Sequence, residues 1–259
     1  MNASANQWGW RVFGAIAVAF MLSPLVLLFV FSFSANSVLA MPITGWTLDW
    51  YRQLFGTPQF WLAFENSLVI AGTVGIVSTI VGTMAAFALL RFRAGAVGGL
   101  MMAASLPVML PPLVLALSLL TFFIGAGLPL GRHAVILGHL VYTQPFVILI
   151  VYARLASFDR AIIDSARDLG ASSWRAFRTV VLPVIRPTIV GAGLVSMALS
   201  LDDFVITLFT IGGGNTLPTF MWGMLRKGVN PSINVVGIVL IALIVAASGL
   251  ALRMTRYRG

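Results

Sequence analysis

Apolar runs long enough to cross a lipid bilayer recur along this chain and constrain its fold more than any other feature. Hydrophobic residues make up 59% of the 259 residues and charged residues only 9%, whereas a soluble domain averages about 25% charged residues. A helical span needs about 20 apolar residues. The sequence therefore predicts an all-α membrane protein with six transmembrane helices. The predicted spans are residues 12–33, 67–90, 96–124, 134–155, 188–211 and 233–252.

Two segments depart from this simple pattern. In the third predicted span Pro107, Pro111 and Pro112 lie close together, and proline interrupts a helix because it lacks a backbone N–H. In lipid, such a break is tolerated only where protein or a water-filled cavity accepts the freed backbone groups. After the first span, residues 47–55 place apolar side chains at helical spacing. This spacing predicts a short helix on the membrane surface, with a plain aromatic belt as the alternative.

The basic residues lie at the ends of the apolar runs and predict an orientation. The net charge is +9, but these positions are typical of topology signals, so we expect no nucleic-acid partner. One side of the membrane would hold Arg11, Arg91, Arg93, Arg154, Arg160, Arg167, Arg175, Arg178, Arg186, Arg253, Arg256 and Arg258, and the other Arg52, Arg132, Arg226 and Lys227. Because the cytoplasmic side carries the excess of arginine and lysine, both termini are predicted to be cytoplasmic.

A charged segment, residues 155–187, separates the fourth predicted span from the fifth. Residues 159–169 predict a helix that Gly170 can end in a left-handed conformation. Residues 174–181 predict a second short helix, capped by one of the two preceding serines, and two prolines then lead back to the membrane. The prediction is a helix-turn-helix on the cytoplasmic face.

Apolar side chains on this helix-turn-helix point to a docking partner. They are Ile162, Ile163, Ala166, Leu169, Trp174 and Phe177. An apolar surface of this kind has no reason to face water unless another protein covers it. We therefore expect residues 155–187 to contact a soluble partner.

The segment Asp164-Ser165-Ala166-Arg167-Asp168-Leu169-Gly170-Ala171-Ser172, followed by Leu182-Pro183, resembles the E-A-A-x-x-x-G…L-P loop of ATP-binding cassette (ABC) importer permeases. In that family the loop forms a coupling helix that sits in a cleft of the ATPase subunit. Aspartate and serine replace the glutamate and first alanine here, which leaves open how Asp164 contacts the ATPase. The resemblance implies ATPase-coupling roles for Asp164, Ser165, Ala166, Asp168, Leu169, Gly170 and Ala171.

Further segments look like the spermidine/putrescine branch of these permeases, and this resemblance runs from about residue 46 onward. The segments are Leu199–Thr207, Leu217-Pro218, 228–234 and the pair Trp50-Tyr51. The resemblance implies a type I ABC importer transmembrane domain at residues 62–259, after an N-terminal span and periplasmic surface segment at 1–61. It also implies a bacterial inner-membrane location and the role of second permease subunit.

The resemblance implies partners as well. They are a homologous second permease chain, two ATPase subunits that bind ATP and magnesium, and a periplasmic substrate-binding protein. This chain itself would bind no cofactor. In polyamine permeases an acidic residue commonly follows the proline of the third span, but Pro112 occupies that position here. The departure keeps opines, amino-acid-like solutes and other amines as alternatives to putrescine or spermidine.

Asp202 and Asp203 are the acidic residues placed deep in a predicted span. A carboxylate in the membrane costs a few kcal/mol, so it needs water, a partner or a function. Adjacent helical residues point about 100° apart, so both can face one direction only if the helix breaks. We weigh two roles equally: contact with a cationic solute in the pathway, or bracing of the following loop or pairing with an arginine of the partner chain.

Trp50 and Ser200 match positions that the polyamine branch uses for transport, which makes them candidate pathway residues. A tryptophan face can bind an amine through a cation–π interaction. An interfacial anchor is the equally good alternative for Trp50.

The sequence gives little indication that this protein is an enzyme. His133 and His139 are isolated, no H-E-x-x-H motif is present, and the absence of cysteine excludes a thiolate metal site. Lys227, the only lysine, lacks the glycine frame of a phosphate-binding loop. The sequence predicts a permease that moves a small cationic solute by alternating access, with hydrolysis in partner subunits. An ion-coupled secondary transporter is the second alternative, since such proteins also use intramembrane carboxylates.

Overall fold

A computed structural model describes residues 3–228 and 231–256, and regular structure throughout these ranges is helical. The helices are α1 (Ala3–Ser32), α2 (Asp49–Phe55), α3 (Pro58–Leu89), α4 (Ala94–Met109), α5 (Pro112–Gly125), α6 (Arg132–Ala156), α7 (Arg160–Asp168), α8 (Ser173–Ala176), α9 (Leu182–Asp202), α10 (Val205–Thr210), α11 (Leu217–Lys227) and α12 (Ser232–Arg256), with a π-helical turn at Phe177–Val181. Val229, Asn230 and Arg258, which the sequence analysis used, lie outside the described residues.

Five helical stretches in the described part of the chain are long and apolar enough to cross a membrane. They are Trp8–Ser32, Pro58–Leu89, Arg132–Ala156, Ser173–Asp202 and Ser232–Leu250. The pair α4 and α5 meets at the predicted proline break with a bend of 96°, and counted as one span it brings the number to six. The predicted helical membrane fold and the break near Pro111 are therefore confirmed.

The fifth span begins and ends earlier than the sequence predicts. We expected a separate helix at 174–181 and a span at 188–211, but one helical stretch runs from Ser173 to Asp202. A π-helical turn precedes Pro183, and its wider backbone gives the proline ring room at the Thr179 carbonyl, where a regular α-helix would clash. The span ends at Asp202 because Asp203 adopts an extended conformation, with φ −65° and ψ 123°.

The described residues fall into two compact units, one within residues 1–61 and 221–241 and one within 62–220 and 242–259. In the first unit, the predicted short helix after the first span is present as α2. Its Tyr51 ring stacks on Phe33 at a centroid distance of 5.2 Å, and the Tyr51 hydroxyl lies 2.9 Å from Ser32 Oγ. These contacts attach α2 to the end of α1.

In the second unit, α6 contributes to three apolar clusters of the described residues, two of which include residues of α9 or α10. Val147, Val151 and Leu155, spaced four residues apart on one face of α6, pack with buried residues of α3 and α9. Nearer its N-terminus, Ala134 packs with α5 and with Ile206 of α10. Helix α6 thus holds α9 and α10, on either side of the break at Asp203, against one rigid element.

Candidate functional site

The charged segment forms the first helix and the turn of the predicted helix-turn-helix, while its second helix continues into α9. Local hydrogen bonds explain its shape. The Asp159 side chain accepts a hydrogen bond from the Ala161 backbone N–H at 2.9 Å and caps α7. The helix ends as predicted at Gly170, whose φ is +82°, and the Ala171 N–H then donates to the Ala166 carbonyl at 3.0 Å. Ser172 caps α8 by accepting from the Arg175 N–H at 3.3 Å.

The surface of α7 and the following turn carries exposed apolar and acidic side chains. Leu169 is 89% exposed and Trp174 is 68% exposed. Of the candidate coupling residues, Ala166 and Ala171 are half-buried, while the others are exposed: Asp164, Ser165, Asp168, Leu169 and Gly170. The structure therefore places all seven on one short helix and its turn, where a second protein can reach them.

Aromatic contacts attach this segment to the membrane-spanning helix α3. The Phe177 ring stacks on Trp174 at 5.4 Å and meets Phe87 of α3 edge-on at 5.4 Å. Because the π-helical turn at Phe177 continues into α9, a displacement of the helix-turn-helix would act directly on α9. This continuity offers a mechanical route from a docked partner to the membrane helices.

The two aspartates of the fifth span have different surroundings because the helix ends between them. Asp202 is the last residue of α9 and is exposed, whereas Asp203 is half-buried. The Asp203 Oδ1 accepts a hydrogen bond from the Thr207 backbone N–H at 3.0 Å and thereby caps the first turn of α10. The two carboxylates therefore do not face one direction.

His139 of α6 completes the surroundings of Asp203. Its Nε2 lies 3.1 Å from Asp203 Oδ1 and 3.0 Å from Thr207 Oγ1. Its Nδ1 lies 2.7 Å from the hydroxyl of Ser200 on α9. The imidazole is 1% exposed, and Ser200 and Thr207 are also buried, whereas Asp203 is only half-buried. A single side chain thus contacts α9, the break and α10.

Asp202 faces a cavity of about 700 Å³ in the second unit. The lining comes from α6, α9 and α12: Ile150, Pro187, Thr188, Gly191, Ala192, Leu194, Val195, Ala198, Leu199, Asp202, Ile244 and Ser248. Asp202 is the one charged side chain among these residues. An apolar wall with a single carboxylate is suited to a cation that carries a hydrocarbon chain.

The remaining candidate pathway residues do not line this cavity. Ser200 is buried and its hydroxyl contacts His139. Trp50 belongs to the first unit, where its indole N–H donates to the Ser34 carbonyl at 2.7 Å. That hydrogen bond leaves the ring face of Trp50 available but uses its polar edge to join α2 to the residues after α1.

Sequence reasoning missed His139 and treated it as an isolated histidine. The signal was its position inside a predicted span, since an ionisable side chain within the membrane requires a polar partner. The partners lie more than 60 positions away along the chain. No spacing rule connects residues so distant, so only the fold reveals the network.

Comparison with known families gives a match over most of the second unit. Residues 78–256 match the family described as binding-protein-dependent transport system inner membrane component. The spermidine/putrescine transport system permease protein PotC of Haemophilus influenzae is 32% identical over 250 residues, which cover 95% of this chain and 96% of PotC. The putrescine transport system permease protein PotI of Escherichia coli is 33% identical over 234 residues, covering 87% and 83% of the two chains.

Solved structures of ABC transporters share the fold at lower sequence identity. A bacterial ABC transporter that imports the acidic polysaccharide alginate has a chain that superposes with a TM-score of 0.71 at 17% identity, covering 97% of this chain and 98% of that chain. A chain of the MetNI methionine ABC transporter gives 0.64 at 20% identity, covering 77% and 97%. The recognition of an ABC importer permease from the coupling-loop motif is therefore confirmed. By this match and these relatives, the chain belongs to the family of binding-protein-dependent transport system inner membrane components.

Proposed function

We propose that this chain is the permease subunit of an ATP-driven importer that moves a polyamine, such as putrescine or spermidine, into the cytoplasm by alternating access. The observation that carries the proposal is the Asp202 carboxylate in a cavity whose other lining residues are uncharged. A polyamine alternates ammonium groups with short methylene chains, so a carboxylate can bind an ammonium while apolar walls contact the methylenes. PotC and PotI, whose names describe polyamine transport, support this solute class.

The exposed helix-turn-helix supports an ATP-driven mechanism over the ion-coupled alternative. A secondary transporter has no need for an exposed Leu169 and Trp174 on a rigid cytoplasmic projection. We place the ATP and magnesium sites in two partner ATPase subunits and assign no hydrolysis to this chain. A homologous second permease would supply the other half of the pathway, and a periplasmic binding protein would deliver the solute. Both termini and the helix-turn-helix face the cytoplasm in this arrangement.

Asp202→Asn tests the solute contact. We expect the maximal rate of putrescine uptake to fall roughly tenfold. The substitution replaces a hydrogen bond to a charged group, which generally contributes about 1.5–3 kcal/mol, with a weaker hydrogen bond between neutral groups. The measurement is ATP-driven uptake of labelled putrescine into proteoliposomes that contain the complete transporter and its binding protein. Asp202→Glu should retain most of the rate, since it keeps the charge.

Ser248→Ala is the matched control, because it removes a neutral polar group from the same cavity and should leave uptake unchanged. Wild-type uptake by Asp202→Asn would remove Asp202 from the pathway. The solute class has a separate test: unlabelled spermidine should compete with labelled putrescine, whereas opines and amino acids should not. Competition by opines or amino acids but not by spermidine would replace the polyamine with one of these alternatives.

A further inference from the structure

The break between α9 and α10 requires a stabilising partner, and His139 provides it. A break in a membrane-spanning segment leaves backbone groups and, here, a half-buried carboxylate without regular helical partners. Asp203 recovers part of this cost by accepting from the Thr207 N–H. Its other close side-chain contacts are the imidazole Nε2 at 3.1 Å and the Thr207 hydroxyl at 3.3 Å.

The geometry points to His139 as a positioning residue for transport: through Nε2 it holds Asp203 at the end of α9 and so keeps the helix break directly after Asp202, at the edge of the cavity. The inference rests on the proposed function only for its uptake readout. His139 does not line the cavity, and it acts on the solute through the two aspartates. The two adjacent carboxylates therefore have different roles: Asp203 stabilises the break, and Asp202 contacts the solute.

The surroundings of Asp202 depend on Asp203, because Asp202 is the last residue of α9 and the extended conformation of Asp203 directs the following chain away from it. If α9 continued through residue 203, Asp203 would take helical dihedral angles instead of a ψ of 123°. That change would re-aim the residues that follow and alter the surroundings of Asp202. His139 lies on α6, which packs against both α9 and α10. The imidazole thus connects the break between α9 and α10 to a separate helix, α6.

Two isosteric substitutions separate the role of Nε2 from that of Nδ1. The glutamine amide nitrogen can occupy a position near Nε2, whereas the asparagine amide group lies near Nδ1 and can reach only Ser200. We expect His139→Gln to keep putrescine uptake within about twofold of wild type, and His139→Asn to lower it roughly tenfold, comparable to the loss of a hydrogen bond to a charged group. Uptake is normalised to the assembled transporter recovered by co-purification.

His133→Asn is the matched control, since His133 lies on the same helix but its Nε2 contacts the exposed Pro129 carbonyl at 2.6 Å. It should leave uptake unchanged. Combining His139→Asn with Asp203→Ala should lower uptake no further than Asp203→Ala alone, because both remove the same contact. Equal uptake by the glutamine and asparagine variants, or full additivity with Asp203→Ala, would overturn the positioning role.

Thiol labelling tests the same inference without any assumption about the solute. The chain contains no cysteine, so Asp202→Cys introduces a unique thiol into this subunit. With His139 intact, a water-soluble cationic methanethiosulfonate should modify a cysteine at 202 readily, since position 202 is exposed.

Changing the histidine should then change the exposure of position 202. We expect modification of a cysteine at 202 to slow severalfold with His139→Asn or Asp203→Ala and to stay unchanged with His139→Gln. Asp203→Ala removes the same contact from the other side, so the test survives if one variant assembles poorly. Equal labelling rates in all backgrounds would refute the inference. If the labelling contrast holds but polyamines are not transported, the proposed solute is wrong and the positioning role stands.

Discussion

Replacing Gly170 with valine is expected to lower ATP-driven uptake by roughly tenfold or more and to release the ATPase partner from the purified complex. Gly170 ends α7 with a φ of +82°, a conformation that costs a residue with a Cβ atom about 1–2 kcal/mol and a β-branched residue more. A valine would change the conformation of the turn that orients Leu169 and Ala171. The exposed surface that we assign to ATPase docking would change its shape.

The environment of Gly170 makes this substitution informative. Apart from its two chain neighbours, no atom of the described residues lies within 4 Å of a Cβ atom added there, so the internal packing of the permease should be unaffected. Gly170→Asn is the matched control, since asparagine tolerates the left-handed conformation better than other residues, and we expect a milder loss. Normal uptake and full ATPase recovery with valine would count against the coupling role of this turn. The measurements are co-purification and uptake in proteoliposomes.

Substitution of Gly193 should have an effect of similar size, but on assembly of the membrane helices. A Cβ atom at Gly193 would lie 2.0 Å from Thr79 Oγ1 and 3.3 Å from Thr79 Cβ on α3, so α3 and α9 can approach this closely only with glycine here. Thr79 cannot give way freely, since its hydroxyl donates to the Gly75 carbonyl at 2.6 Å. We expect Gly193→Leu to abolish accumulation of the folded chain and Gly193→Ala to reduce it severalfold, consistent with an overpacking cost of about 1–3 kcal/mol.

A second-site change identifies the cause of this loss. Thr79→Ala removes the colliding hydroxyl and should restore accumulation of Gly193→Ala but not of Gly193→Leu. Gly72→Ala is the control on α3, because a Cβ atom there meets nothing within 4 Å. Accumulation is measured as the monodisperse fraction after detergent extraction. Failure of Thr79→Ala to restore Gly193→Ala would mean that the close approach of α3 and α9 is not the limiting contact.

Long and strongly patterned features of the fold were predictable from local chemistry. The apolar runs specify spanning helices because a bilayer offers the backbone no other hydrogen-bond partners. The prolines near Pro111 specify a bend, and the 96° angle between α4 and α5 confirms it. Gly170 specifies the end of α7, since glycine enters the left-handed region without a steric cost. Each of these predictions depends on residues close together in the chain.

The predicted limits of the fifth span were wrong. The reason is also local, but it is harder to detect in the sequence. Proline in a sequence is typical of a helix boundary, yet Pro183 and Pro187 lie within one continuous helical stretch that begins at Ser173. A π-helical turn at Phe177–Val181 accommodates Pro183 within this helical stretch. The first residue of this turn, Phe177, also packs against Phe87 of α3, a contact that the linear sequence does not show. The division into residues 1–61 and 62–259 stays a prediction.

By itself, the sequence determined that this protein consists of membrane-spanning helices with an exposed, charged helical segment between two of them, because hydropathy, charge and turn residues act over short distances. Only the tertiary structure decided how the two adjacent aspartates differ. The helix ends between them, His139 approaches Asp203 from 64 positions away, and Asp202 is left facing the cavity. Such a division of roles arises where separate helices meet, and contacts of that range depend on packing that no local pattern encodes.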